Sequence, residues 1–193
     1  MRGRDQPPLG LKDQISNLSE QQLSSEVVFD GKLLEVRRDL VRLPDGTQAT
    51  REYIRHPGAV AVVALFDDGT VLLERQFRYP HGRDFIEVPA GKLEPNEPQL
   101  ETAQRELLEE TGYTAAEWKR LGTIHTAIAY TDEAIALFLA RKLKKERAAR
   151  LDAGEFLETL IVPLDEAVAM VRDGRITDCK SVCALLWVKA WGA

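Results

Sequence analysis

The chain has 193 residues and is 44% hydrophobic, enough to bury one core with an appended element. Its net charge of −5 excludes a general nucleic-acid binder, which carries a basic patch, but not an anionic small-molecule substrate, because bound cations can supply positive charge. The longest apolar run, 58–66, is too short to span a bilayer, and no apolar core follows the basic start at Arg2 and Arg4, so a soluble, cytoplasmic protein with no membrane partner is expected.

Residues 1–22 are polar, contain Pro7-Pro8, and read as a flexible arm. Residues 23–56 read as a three-stranded antiparallel meander, with turn signals at Asp30-Gly31 and Pro44-Asp45-Gly46. So small a sheet cannot bury both faces alone, and it should pack on the main domain or on a second subunit. Arg51 and Glu52, near its end, alternate in direction. His56-Pro57-Gly58 breaks the meander, and the main domain is expected over 57–193. The apolar run 59–66 predicts a buried central strand, and 70–77 predicts its return after Asp67-Asp68-Gly69. Arg75 and Arg78 flank that strand's end, where an arginine can fork onto a phosphate or onto a glutamate. A short strand at 85–88 carries Glu87.

Residues 90–113 are the most informative stretch. Pro89-Ala90-Gly91 reads as a turn. A helix follows, with Asn96 or Glu97 as its cap, Pro98 in its first turn and Gly112 as its stop. At about 100° per residue, Leu100, Ala103 and Leu107 form one stripe, and Glu106, Glu109 and Glu110 fall in the sector beside it. Like charges at these spacings destabilise a helix, so the sector is either a solvated acidic face or a set of hard oxygen ligands for Mg²⁺ or Mn²⁺.

Farther on, 118–125 predicts a strand, 126–132 a loop closed by Glu133, and 134–140 a buried strand. The charged run 141–150 is expected to face solvent. A last strand at 158–162 and helices at 164–172 and 177–191 complete the chain. Cys179 and Cys183, at i, i+4 on the second of these helices, read as buried thiols rather than as half of a metal site.

The spacing Gly91, Glu97, Arg105-Glu106, Leu107, Glu109-Glu110, Gly112, Tyr113 resembles the signature of the Nudix hydrolases at every specified position. The surrounding segments HPGAVAVVAL, ERQFRYP and FIEVPAGKLE are similar to the ADP-ribose pyrophosphatase branch of that family. The resemblance implies an α/β (α+β) fold, an α/β/α sandwich around a mixed sheet, with the meander exchanged between the subunits of a homodimer. It implies Mg²⁺-dependent hydrolysis of the pyrophosphate bond in a nucleoside diphosphate sugar, ADP-ribose giving AMP and ribose 5-phosphate. By the same carry-over Glu106, Glu110, Glu109 and the carbonyl of Ala90 are metal ligands. Arg105 orients the carboxylates, and Glu97 anchors the loop or contacts a further metal. Either Glu133 or Glu109 is the general base. Arg51 and Glu52 from a partner subunit, with Arg78 and Glu87, contact the substrate, and His125 and Tyr130 are further candidates for a base or sugar. Many members of the branch have proline where this chain has Ile128, which sets GDP-mannose or a dinucleotide beside ADP-ribose as substrates. A non-catalytic ADP-ribose sensor is the other alternative; it should lack motif carboxylates, whereas this chain has every one.

Overall fold

Turn residues cut the first part of the chain into three strands, Gln21–Asp30 (β1), Glu35–Arg42 (β2) and Gln48–Arg55 (β3). The computed structural model describes residues 18–151, 154 and 156–192, so most of the expected arm lies outside the described residues, and its last two residues already belong to β1. The strands pair antiparallel in the order β1-β2-β3. Gly31 closes the first turn by donating its N–H to the Leu34 carbonyl (2.9 Å), and Gly46 closes the second by donating to Leu43 (2.9 Å). Arg38 on β2 stands opposite Glu26 on one side and Glu52 on the other, and its guanidinium pairs with both (3.3 and 2.8 Å). Every residue of β1 is exposed, Val27, Val28 and Phe29 included. The chain divides into two compact units after Arg55, and the meander belongs to the first.

The second unit is built on Ala59–Leu65 (β4), whose seven residues are all buried. Its side chains alternate between two faces. Ala59, Ala61, Val63 and Leu65 join one core cluster; Val60, Val62 and Ala64 join the other. Around it lie Thr70–Arg78 (β5), Arg83–Glu87 (β6), Ala90–Lys92 (β7), Tyr113–His125 (β8), Ala134–Lys145 (β9) and Leu157–Pro163 (β10). The main path of the sheet is β10-β5-β4-β9-β8, with β6 paired to β5 and β7 to β4. β4 and β9 run parallel and the remaining pairs antiparallel, so the sheet is mixed.

Three helices cover it. Gln99–Thr111 (α1) lays Ala103 and Leu107 on one face, while Leu164–Arg172 (α2) and Cys179–Trp191 (α3) cover the other with Ala167, Met170, Ala184, Leu185 and Val188. This is the expected α/β/α layering. No helix among the described residues is long and apolar enough to cross a membrane.

Several local expectations need correction. The Pro89-Ala90-Gly91 turn is instead the entry to β7, which pairs with the start of β4 where β5 does not. Neither Asn96 nor Glu97 caps α1: Pro98 is the N-cap residue, with no side-chain cap, because the Glu97 carboxylate is committed to Arg105. Leu100 is 40% exposed, since it lies on the first turn before the helix reaches the sheet. The charged run after residue 140 is mostly exposed, as expected, but its first part continues β9 as far as Lys145, paired with β8, whose start moves back to Tyr113. Cys179 is exposed at the first position of α3, and Cys183 is only half-buried, packed at the margin of the core.

Gly112 ends α1 in the left-handed region (φ 73°), and a Cβ there would run into the carbonyl of Arg147. Gly112→Ala should therefore lower stability by about 2 kcal/mol or more, read as a shift in the urea midpoint.

Candidate active site

The start of β4 carries β7 across Ala59–Ala61, and β7 backs onto the middle of α1. Gly91 is required for space rather than for backbone angle: a Cβ at this position would fall inside the Glu106 carboxylate. One turn on, Glu110 is 6% exposed, and its Oε2 accepts the Ala90 N–H at 3.1 Å. Two carboxylates of α1 are thus seated against β7.

Arg105 gathers the others. Its Nε and Nη2 fork onto both oxygens of Glu97 (2.9 Å each), while Nη1 donates to Glu106 Oε1 (2.9 Å) and Glu109 Oε2 (3.1 Å). Nη2 also donates to the Lys92 carbonyl (3.4 Å). The Arg105 hydrogen bonds hold the Glu97 carboxyl down at about 2, and Glu97 in turn raises the guanidinium. One planar cation, supplying several fixed donors, therefore holds like charges together on one helix face.

These groups line a cleft of ≈ 570 Å³ whose walls come entirely from the second unit. The carboxylate end comprises Ala90, Gly91, Glu106, Glu109 and Glu110. Glu133 stands on another wall with Thr126. The Thr126 hydroxyl donates to Glu133 Oε2 (2.5 Å), and His56 Nε2 lies 3.5 Å from Oε1. His56 Nδ1 accepts the Gly58 N–H (3.0 Å), so the proton of the neutral ring sits on Nε2, facing Glu133. The His56 backbone N–H also donates to Asp132 (2.7 Å), which ties the 126–133 loop to the bend before β4.

Gln76, Arg78, Asp178, Cys179 and Lys180 also line the cleft. Arg78 forks onto Glu87 through Nε (2.7 Å) and Nη2 (2.8 Å). Glu87 is 4% exposed and stands behind Arg78 rather than on the cleft wall. Burial works to raise its carboxyl, but Arg78 and Lys180 together outweigh this and hold it below its ordinary value. Arg75 is turned to Glu158 (2.6 Å) and Asp84 (3.8 Å). In the first unit, Arg51 is paired with Glu20 and Glu52 with Arg38. Ile128 and Tyr130 are exposed, and neither they nor His125 line the cleft.

Among the described residues no group of three or more His, Cys, Asp or Glu side chains is gathered as a metal cage. The donor chemistry nevertheless fits a hard divalent cation. Glu106, Glu109 and Glu110 supply oxygen ligands, Gly91 leaves the room that Glu106 occupies, and the buried Glu110 sits against a backbone amide. Arg105 now takes the charge of Glu106 and Glu109 that such an ion would share.

Nothing in the sequence marks Lys180 or Arg150; Asp178 reads only as a helix start and His56 only as part of a break. All but His56 line the cleft, and His56 reaches it through Glu133. The available signals were local ones, an N-cap aspartate before α3 and a histidine before Pro-Gly; neither reveals which distant strand end lies opposite.

Comparison with known proteins matches residues 55–181 to the NUDIX domain, and residues 20–54 to the nucleoside diphosphate sugar hydrolase N-terminal domain. The chain is 38% identical to an ADP-ribose pyrophosphatase of Bacillus subtilis (strain 168) over 91% of this chain and 95% of the relative. It is 40% identical to a methanol dehydrogenase activator of Bacillus methanolicus over 88% of this chain and 92% of the relative. A crystal structure of an ADP compounds hydrolase superposes with a TM-score of 0.80 at 24% identity, covering 92% of this chain and 96% of that one, a likeness of fold.

The Arg105–Glu97 fork has a pH signature. A carboxyl lowered from 4.5 to about 2 contributes stability that is complete above its ordinary value and is lost as pH falls through about 2. Arg105→Met should be less stable than wild type at neutral pH, and the gap should narrow as pH falls from 4.5 toward 2, measured by urea midpoints across that range.

Proposed function

The chain belongs to the NUDIX domain family and is a Nudix hydrolase, and on that footing we propose that it hydrolyses the pyrophosphate bond of a nucleoside diphosphate sugar, ADP-ribose first, giving AMP and ribose 5-phosphate. The observation that carries this reading is the helix face on which Arg105 gathers carboxylates in a cleft that Arg78 also lines. Two relatives named as ADP-ribose pyrophosphatases, 38% and 37% identical over most of this chain, support the substrate.

Glu106, Glu109 and Glu110, with the backbone at Ala90, would hold Mg²⁺, with Mn²⁺ as a substitute. When bound, the ion neutralises phosphate oxygens and acidifies a coordinated water. Arg105 keeps the carboxylates aimed, and Arg78 takes a phosphate oxygen with the guanidinium edge that Glu87 leaves over. Glu87 acts through Arg78, since it does not reach the cleft wall. Glu133 deprotonates the attacking water, held in place by Thr126 and His56. Glu109, with 40% of its side chain exposed, is the rival for that role.

The exposed apolar residues of β1 support a homodimer in which the meander packs on a second copy and brings Arg51 and Glu52 to the partner's cleft. Two free thiols suit a reducing cytoplasm.

A panel of ADP-ribose, GDP-mannose and dinucleotides, scored by phosphate released after phosphatase coupling, tests the substrate; turnover of GDP-mannose with none of ADP-ribose would sink it. Glu110→Gln should cut turnover by about a thousandfold while the fold is kept. Glu133→Gln should lower turnover by about a hundredfold with the metal requirement unchanged, and an unaltered pH–rate profile would move the base to Glu109.

A further inference from the structure

We infer that Lys180 is a positioning residue that makes Arg78 available to the substrate's diphosphate. This rests on the reading of Arg78 as a diphosphate contact.

The Nε and Nη2 groups of Arg78 are spent on the two oxygens of Glu87, which leaves its Nη1 edge for the cleft. An arginine paired one-to-one with a buried glutamate is close to neutral as seen by an incoming anion. Lys180 changes that balance. Its ammonium donates to Oε2 of the same Glu87 carboxylate, and its side chain is 12% exposed. Glu87 is therefore shared between two cations, and the same ammonium pairs with Asp178, a second carboxylate whose charge also acts on Arg78; with Lys180 in place, the two carboxylates cancel less of the field of Arg78 on the cleft than they would alone.

The position of Lys180 is fixed by the start of α3. Asp178 accepts the Lys180 ammonium (3.0 Å) and caps the helix through the Ser181 N–H (3.0 Å) and hydroxyl (2.7 Å). The Ser181 oxygen in turn accepts the N–H of Val88, next in sequence to Glu87 (2.9 Å). The helix cap and the strand end are thus keyed to each other, and Lys180 lies across the junction. It acts on substrate through Glu87 and Arg78, and its expected signature is in substrate binding rather than in the chemical step.

A double-mutant cycle on the full-length enzyme tests this, using Lys180→Met, Arg78→Ala and the pair. The readouts are steady-state kinetics on the panel substrate it turns over best and calorimetric binding of AMP with Mg²⁺. Lys180→Met should raise KM about tenfold, leave kcat within about twofold and weaken AMP in parallel, while Lys180→Arg restores most of the loss. In the Arg78→Ala background the same change should shift KM by less than about twofold. An equal KM penalty in both backgrounds would overturn the inference in favour of direct contact. A fall in melting temperature and kcat with KM unchanged would overturn it in favour of a purely structural tie. If Arg78→Ala raises KM while Lys180→Met does nothing, this inference fails and the reading of Arg78 stands; if Arg78→Ala leaves KM unchanged, both fail.

Discussion

Repulsion between carboxylates is the constraint around which the cleft is arranged. Glu106, Glu109 and Glu110 occupy one sector of a single helix, and Glu97 stands just before its first turn. Left alone, such a group would fray the helix or take up protons. Arg105 prevents both by dividing its donors among Glu97, Glu106 and Glu109, while Glu110 is buried against the Ala90 amide. The arrangement needs a rigid planar donor, which a lysine could not supply. It also needs β7 close beneath, and Gly91 is the residue that permits the approach.

The Arg78 wall of the cleft is built on the mirror arrangement. Two cations, Arg78 and Lys180, meet two carboxylates there: the buried Glu87 accepts from both, and Asp178 accepts from Lys180. Both clusters use the same device, one multidentate ion shared by more than one of the opposite sign. In the first the shared group is a cation and leaves carboxylates facing the cleft. In the second it is an anion and leaves an arginine facing it.

Much of this was legible in the sequence. The seven buried residues of β4 were plain as an unbroken apolar run, and the spacing from Gly91 to Gly112 marked the acidic helix and its stop. What could not be read were contacts set by topology. β7 is too short to show a period of its own and exists only because β4 offers it an edge. β9 runs past its apolar part into charged residues because the ladder with β8 continues, and ladders do not depend on which side chains they carry. Asn96 and Glu97 looked like caps because a side-chain oxygen just before a proline in the first turn can accept an orphan helix N–H; the partner of Glu97, eight residues on, took its carboxylate instead. The link from Lys180 to Glu87 spans 93 residues, and nothing local foretold it.

The parallel pairing of β4 with β9 also governs how the chain is made. Ala59 lies opposite Ile135, so the central strand has no partner on that side until the ribosome has released a further stretch longer than the whole meander. Such long-range closure is slow, and an unpaired apolar strand invites other chains to pair with it in the interval. The antiparallel neighbours β5 and β7 arrive first and shield part of β4. The cleft, which needs the loop before β9 for one wall, therefore closes late in synthesis, and a chain arrested before β9 would expose AVAVVAL to aggregation.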